Sequence, residues 1–397
     1  MTSSVSVAAG KEPSEKASSS VERKAQAFDF LDLKAQFSTI REDVMAAITK
    51  VMESQMFILG KEVQAFEEEF AKAFECKHAV SCASGSDALV LALMAAGISA
   101  DDEVITSPFT FVATAGSIAR VGAKPVFVDI DPHTYNINAD EIARAITSRT
   151  RAIMPVHLFG LSADLSAILK IAKEHNLVVV EDAAQAVGAT YEDSYVGNFG
   201  QYGCFSFFPS KNLGGAGDGG MITTQDAELA DRLRLLRVHG SRQKYKHEIL
   251  GVNSRLDALQ AAILRVKLPH LESWTEARRR HAQRYRELFD KAGLQDIVVA
   301  PTEPSASNRH VYNQFSIRAP QRDGLKEHLR SCGIPTEIYY PVPLHVQPAF
   351  AYLGYEQGQF PNAEAASREI LSLPVFPELT EAQQTLIVDS IAKFYLS

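Results

Sequence analysis

The chain has 397 residues, 46% of them hydrophobic and 22% charged, enough to bury a large core and to divide into two lobes. Its 40 Lys and Arg against 48 Asp and Glu leave a net charge of −8, which gives no basic field for nucleic acid or anionic lipid and points to a small-molecule partner. Cys76, Cys82, Cys204 and Cys332 show none of the short pairings of a zinc site or redox dithiol and suit buried thiols in a reducing cytoplasm.

Residues 1–26 are rich in Ser, Ala, Lys and Glu without an apolar signal core, and read as a disordered tail outside the fold. From Ala27 to Glu75 the spacing of Ile40, Val44, Ile48 and Val51, then Val63, Phe66 and Phe70, predicts two amphipathic helices parted by a turn at Met56 to Gly60. The longest apolar run, Ala88 to Ile98, is too short to cross a bilayer and reads as a buried helix.

Short β-rich runs then alternate with helical ones. Strands are expected at Glu103–Thr106, Pro125–Asp129, Ala152–Val156 and Leu177–Val180, with helices from about Val112, Ala139 and Asp164. That alternation is the pattern of βαβ units on a mostly parallel sheet. Gly203–Phe208 and Gly219–Thr224 are joined by a connection too short for a parallel crossover, so they form an antiparallel pair and the sheet is mixed. A long helical stretch from about Leu256 to Phe289 leads into a smaller α+β lobe. The expected division is a large domain over residues 27–268 and a smaller C-terminal domain over residues 269–397.

The chemistry centres on Lys211, in the connection between the antiparallel strands, and Asp182, at the end of Val178-Val179-Val180-Glu181-Asp182. Alone, each has a plainer reading, as a solvated charge and as a turn or helix cap. Together they describe a pyridoxal phosphate pocket, in which an amine condenses with an aldehyde cofactor and a carboxylate pairs with its protonated ring nitrogen. Ser84-Gly85-Ser86-Asp87 precedes the apolar helix, so its N–H groups and the Ser86 hydroxyl either cradle a phosphate or only cap that helix. Ser206 offers a second hydroxyl. Phe111 is either a core aromatic or a ring that stacks on the cofactor. Gly215-Ala216-Gly217-Asp218-Gly219-Gly220 fits the dinucleotide pattern G-x-G-x-x-G but leads into a strand, so nicotinamide binding is set aside.

Five ordered motifs carry a family resemblance: Ser84-Gly85-Ser86-Asp87-Ala88-Leu89, Phe109-Thr110-Phe111-Val112-Ala113-Thr114, Glu181-Asp182-Ala183-Ala184-Gln185, Ser206-Phe207-Phe208-Pro209-Ser210-Lys211-Asn212-Leu213-Gly214 and Asn253-Ser254-Arg255-Leu256-Asp257. From about Phe28 onward the chain resembles the DegT/StrS-type nucleotide-sugar aminotransferases. The resemblance implies the α/β PLP-dependent transferase fold type I and a homodimer with active sites shared across the subunit interface. It also implies transfer of an amino group from L-glutamate to a keto sugar on a nucleotide. It makes Lys211 the Schiff-base lysine and proton shuttle, Asp182 the ring-nitrogen partner, Gln185 the contact to the ring hydroxyl and Phe111 the stacking residue. Gly85, Ser86 and Ser206 become phosphate ligands, and Asn253 resembles an asparagine that reaches the partner subunit's phosphate. A lysine at 211, where dehydratase relatives carry His, argues for amino transfer.

Gly251 and Asn253-Ser254-Arg255-Leu256-Asp257 resemble enzymes aminating C3 of the hexose more than those acting at C4, the alternative. Tyr339-Tyr340-Pro341 departs from the His-Tyr-Pro of many C3 relatives and leaves the sugar open. Arg255 either meets a sugar carboxylate, as in relatives that take a uronate, or caps the next helix. A pyridoxal-phosphate-binding regulatory protein is the rival from another class, disfavoured by the absence of a basic recognition helix.

Overall fold

The computed structural model describes residues 29–396, so the N-terminal tail at 1–26 lies outside the described residues. Two helices open the fold, α1 (Leu33–Ser54) and α2 (Lys61–Ala73), with the expected break between them. Strand β1 (His78–Cys82) follows and runs into α3 (Gly85–Ala95), then come β2 (Glu103–Thr106), α4 (Ala113–Arg120), β3 (Lys124–Phe127), α5 (Ala139–Ala145), β4 (Thr150–Ile153), α6 (Leu165–His175) and β5 (Val178–Asp182). A small hairpin, β6 (Thr190–Tyr191) with β7 (Ser194–Tyr195), leads to β8 (Tyr202–Ser206) and β9 (Gly220–Thr224).

The main sheet has seven strands in the order β1-β9-β8-β5-β4-β2-β3. Pairings from β8 through β5, β4 and β2 to β3 are parallel, whereas β9 runs antiparallel to both β8 and β1. The sheet is therefore mixed, mostly parallel, with one reversed strand, as the short Lys211 connection requires. Strand β1 is the element the periodicity reading passed over. It is five residues long and sits directly behind a helical pattern, so its apolar residues Ala79, Val80 and Cys82 blend into that pattern until β9 pairs with them.

Helices cover both faces. Helix α3 is buried along nearly its whole length among Val80, Val104, Ile118, Val180 and Ile222, which explains its all-apolar sequence. On the other face Phe66 and Phe70 of α2 pack edge-on against Phe207. Among the described residues no helix is long and apolar enough to cross a membrane.

Beyond β9 come α7 (Ala227–Leu236), a short hairpin of β10 (Ser241–Gln243) and β11 (Lys246–His247), and α8 (Ala258–Lys267). The helix expected from Leu256 to Phe289 is two helices. Pro269 lies in a single 3-10 turn, Leu268–His270, that parts α8 from α9 (Leu271–Lys291), because proline lacks the N–H a continuous helix needs. The remaining elements are β12 (Phe315–Arg318), α10 (Arg322–Ser331), α11 (Pro361–Glu369), β13 (Ile370–Leu373) and α12 (Glu381–Leu396). Strands β12 and β13 pair antiparallel, and Tyr285, Phe289, Phe315, Ile317, Leu329, Leu371 and Ile387 form a separate core around them.

Candidate active site

Strand ends gather at one edge of the sheet. Asp182 closes β5, Ser206 closes β8, and Gly220 at the start of the reversed strand faces both Ser206 and Cys82 of β1. That is the carboxyl edge of the parallel strands, where open α/β sheets collect ligands. A cavity of about 360 Å³ opens there, lined by Lys211, Asp182, Gly85, Ser86, Phe111, Gln185, Ser206, Tyr339 and Tyr340 among others.

Asp182 is the anchored end of the cavity. Its Oδ2 accepts from the Thr114 hydroxyl at 2.8 Å and its Oδ1 from the Ala184 N–H at 3.2 Å. Its main chain is tied to the neighbouring segment through Asp182 N–H to Pro155 O (2.8 Å) and His157 N–H to Asp182 O (3.0 Å). Burial pushes its carboxyl above the ordinary value. The two hydrogen bonds and the charge of Lys211 pull it back toward ionisation.

Lys211 is held only by its backbone, whose N–H donates to Phe208 O at 2.8 Å. Burial lowers its ammonium to about 8, opposed by the negative charge of Asp182. A substantial fraction of neutral amine is thus present near physiological pH, which nucleophilic attack on an aldehyde needs.

Gln185 has its amide orientation set from both sides. Oε1 accepts from the Phe159 N–H at 2.6 Å, and Nε2 donates to the Tyr340 hydroxyl at 3.0 Å, leaving one N–H of Nε2 for the cavity. At the opposite rim the Ser84 side chain caps α3 by accepting from the Asp87 N–H at 3.1 Å. Capping and anion cradling coexist here, because the N–H groups of Gly85 and Ser86 have no intrahelical acceptor and sit at the positive end of the helix. Gly85 also has a steric reason. A Cβ there would meet the Ser206 Cβ at 2.6 Å, so glycine is what lets the helix start and the Ser206 hydroxyl come together.

Phe111 is 56% exposed on the cavity wall and so is no core aromatic. Tyr339 and Tyr340 arrive from the C-terminal part of the chain, and the Tyr340 ring packs near Phe109 and Phe111. Asn253 and Arg255 are not brought to this cavity. Asn253 is exposed in a bridge to Val238, and Arg255 is half-buried without a hydrogen bond or ion pair among the described residues. The residue at the cap of α8 is Asp257, so Arg255 is not capping that helix.

Sequence reasoning assigned no role to Thr114, though it quoted the segment that carries it. The signal was present: a hydroxyl one turn past Phe111, in the first turn of α4. Gln314 and Ser210 also line the cavity unforeseen. So does the support behind Asp182, where buried Glu181 accepts from the N–H groups of Gly197 (2.7 Å), Phe199 (2.9 Å) and Gly200 (2.7 Å) and meets His157 Nε2 at 2.9 Å. His157 Nδ1 accepts from the Ala163 N–H at 3.1 Å, which puts the imidazole proton on Nε2, facing Glu181.

A mixed α/β sheet with a half-buried lysine and a buried aspartate on one cavity at its carboxyl edge, beside an anion-ready helix start, defines a transferase of the pyridoxal phosphate type with fold type I. The donor set fits that cofactor: an amine for its aldehyde, an acid for its ring nitrogen, and hydroxyl and N–H groups for its phosphate. The sequence places the chain further: it belongs to the DegT/DnrJ/EryC1/StrS aminotransferase family, whose model matches residues 38–392.

Among its relatives is a protein named pleiotropic regulatory protein from Geobacillus stearothermophilus, 55% identical over 92% of this chain and 98% of its own length. Another, from Acidithiobacillus ferrooxidans, is named UDP-N-acetyl-3-dehydro-alpha-D-glucosamine 3-aminotransferase and is 48% identical over 92% of this chain and 98% of its own. The crystal structure of S. venezuelae DesV in complex with a ketimine intermediate superposes with a TM-score of 0.90 at 43% identity, covering 93% of this chain and 98% of that one. The chain is an aminotransferase, and pyridoxal phosphate is its cofactor.

Proposed function

We propose that the enzyme moves an amino group from L-glutamate to C3 of a keto hexose carried on a nucleotide, supplying amino sugar for surface polysaccharide. It works in the cytoplasm as a homodimer with shared active sites, residues 27–268 forming the cofactor-binding domain and residues 269–397 the smaller one. The observation that carries this reading is the Lys211 amine and the Asp182 carboxylate on one cavity, with the phosphate cradle built from hydroxyls and N–H groups instead of an arginine. The Acidithiobacillus relative named as a 3-aminotransferase supports C3.

Bound pyridoxal phosphate supplies an aldehyde that condenses with amines and a ring that takes up the electron pair of a breaking C–H bond. Lys211 Nζ, neutral above about pH 8, takes the proton from the donor carbon and returns it across the cavity. Asp182 holds the proton of the ring nitrogen, and Thr114 and the Ala184 N–H keep its carboxylate in place to do so. Gln185 turns its free N–H toward the ring hydroxyl. Gly85, Ser86 and Ser206 bind the phosphate, and Phe111 covers the ring face against water. Asn253, exposed and outside its own cavity, reaches the phosphate of the second copy. Tyr339 and Tyr340, on the wall nearest the C-terminal part, meet the sugar, and Arg255 meets it from the partner side when it is a uronate.

The test is incubation with glutamate and a panel of 3-keto and 4-keto nucleotide sugars, reading 2-oxoglutarate. Release with 3-keto sugars is expected. Release only with 4-keto sugars moves the chemistry to C4, and release only with 2-oxo acids removes the sugar assignment.

The name of the Geobacillus relative favours a second reading, a regulator that binds the cofactor. A purified protein without a visible absorbance band, unable to take up pyridoxal phosphate, is the result that selects it.

A further inference from the structure

We propose that Arg278 forms a carboxylate subsite beside the Lys211 cavity, and that the carboxylate it holds belongs to the amino-acid donor. The proposal rests on the glutamate reading above and deepens it. Arg278 lies on α9 and is 3% exposed. Its Nη1 donates to Val375 O at 2.6 Å and Tyr312 O at 3.2 Å. No carboxylate lies within ion-pair distance of it among the described residues, and Nε and Nη2 have no acceptor there. A buried guanidinium is costly without an anion to pair with, and this one keeps a free edge of the fork that takes a carboxylate in two parallel hydrogen bonds.

That side chain lines a hollow of about 320 Å³. Ser210, Gln314 and Tyr339 line this hollow and the Lys211 cavity alike, so the two share a wall, and Ser210 is the residue next to Lys211. A donor whose amino group meets the cofactor at Lys211 therefore has a cationic recess within reach of its carboxylates. Asp29 stands on its lining at the exposed side, and Glu378 favours the charged form of Arg278 from beyond ion-pair distance. Burial is the larger influence and lowers the guanidinium to about 10.

The experiment follows the two half-reactions separately on the holoenzyme by the cofactor's absorbance, for wild type, Arg278→Lys and Arg278→Gln, with folding checked by circular dichroism. Glutarate, a diacid without an amine, is titrated by calorimetry as a probe independent of turnover. The expected result is at least tenfold weaker saturation by glutamate and weaker glutarate binding in Arg278→Gln, partial recovery in Arg278→Lys, and an unchanged half-reaction with the keto sugar. If the variants do not fold, wild type is compared on glutamate, glutamine and isoglutamine, and a tenfold loss with one of the two amides is the supporting outcome. Equal saturation by all three donors, or folded variants that saturate as wild type does, overturns the subsite. A defect confined to the keto-sugar half-reaction assigns the recess to a sugar carboxylate and overturns the donor assignment. Absence of any absorbance change with glutamate in wild type sinks the glutamate reading itself, and the donor assignment of Arg278 falls with it.

Discussion

Asp182 and Lys211 face the same cavity, yet the chain holds them in different ways. Asp182 ends a strand paired on one side by β8 and bridged on the other to Val156, and both of its oxygens are engaged. Lys211 stands in the connection between β8 and β9, tethered by its backbone, with its amine free of hydrogen bonds among the described residues. The difference matches the roles proposed for the two groups. A group that holds a charge at a fixed atom gains from preorganised neighbours, because none of its surroundings then reorganise during reaction. A group that forms a bond and carries a proton between two carbons needs reach.

The largest expected effect tests the end without side-chain hydrogen bonds. Lys211→Ala should lower the rate of 2-oxoglutarate release by at least ~10³-fold, since it removes both the nucleophilic amine and the proton carrier, while the cofactor still binds noncovalently. Turnover at the wild-type rate would refute the assignment. Asp182→Asn tests the anchored end and should cost roughly 10²-fold in turnover, the scale seen when one fixed electrostatic partner is lost. The protein should stay folded, because Asn still fills the space between Thr114 and the Ala184 N–H. If that variant is as fast as wild type, the contrast between a hydrogen-bonded and an unbonded end has no functional meaning.

Titration sharpens the contrast. The lysine's value is lowered to about 8, so the charged form dominates below that pH and the neutral nucleophile above it. The rate of pyridoxal phosphate uptake by the apoprotein should therefore rise with pH through a midpoint near 8 and level off beyond it. A midpoint near the ordinary lysine value would show that burial does not act on this amine. The smallest effect is expected for Thr114→Val, which removes one hydroxyl from Asp182 Oδ2. A loss of about 1–2 kcal/mol, or roughly tenfold in turnover, is the scale for one hydrogen bond to a charged group. A loss as large as that of Asp182→Asn would mean that Thr114 meets the cofactor or substrate itself.

Much of this was legible in the residues. Strand and helix alternation gave the parallel part of the sheet, and the short connection around Lys211 gave the reversed strand. The motifs at 109–114, 181–185 and 206–214 each follow a strand legible in the pattern and place their residues at its carboxyl end, so local pattern suffices to aim them at one edge. Tyr339 and Tyr340 reach the same cavity from far along the chain, and a resemblance alone suggested them. Strand β1 was hidden because a five-residue run acquires its meaning from β9, which is remote in sequence.

The adjacent acids Glu181 and Asp182 mark the boundary between the two kinds of information. Alternation along a strand puts neighbouring side chains on opposite faces, but the motif alone assigns no role to the first acid. What Glu181 does came only from the tertiary structure. Its carboxylate is sealed by three N–H groups of the 197–200 segment and by His157, partners that folding brings together from separate parts of the chain. Composition, periodicity and motif spacing determined the class of sheet and singled out the candidate amine and acid that it brings to one edge. The supports of that acid, the orientation of Gln185 and the edge of Arg278 left without an acceptor among the described residues were decided by packing, because hydrogen-bond partners distant in sequence are chosen by three-dimensional proximity and by the cost of burying a polar group alone.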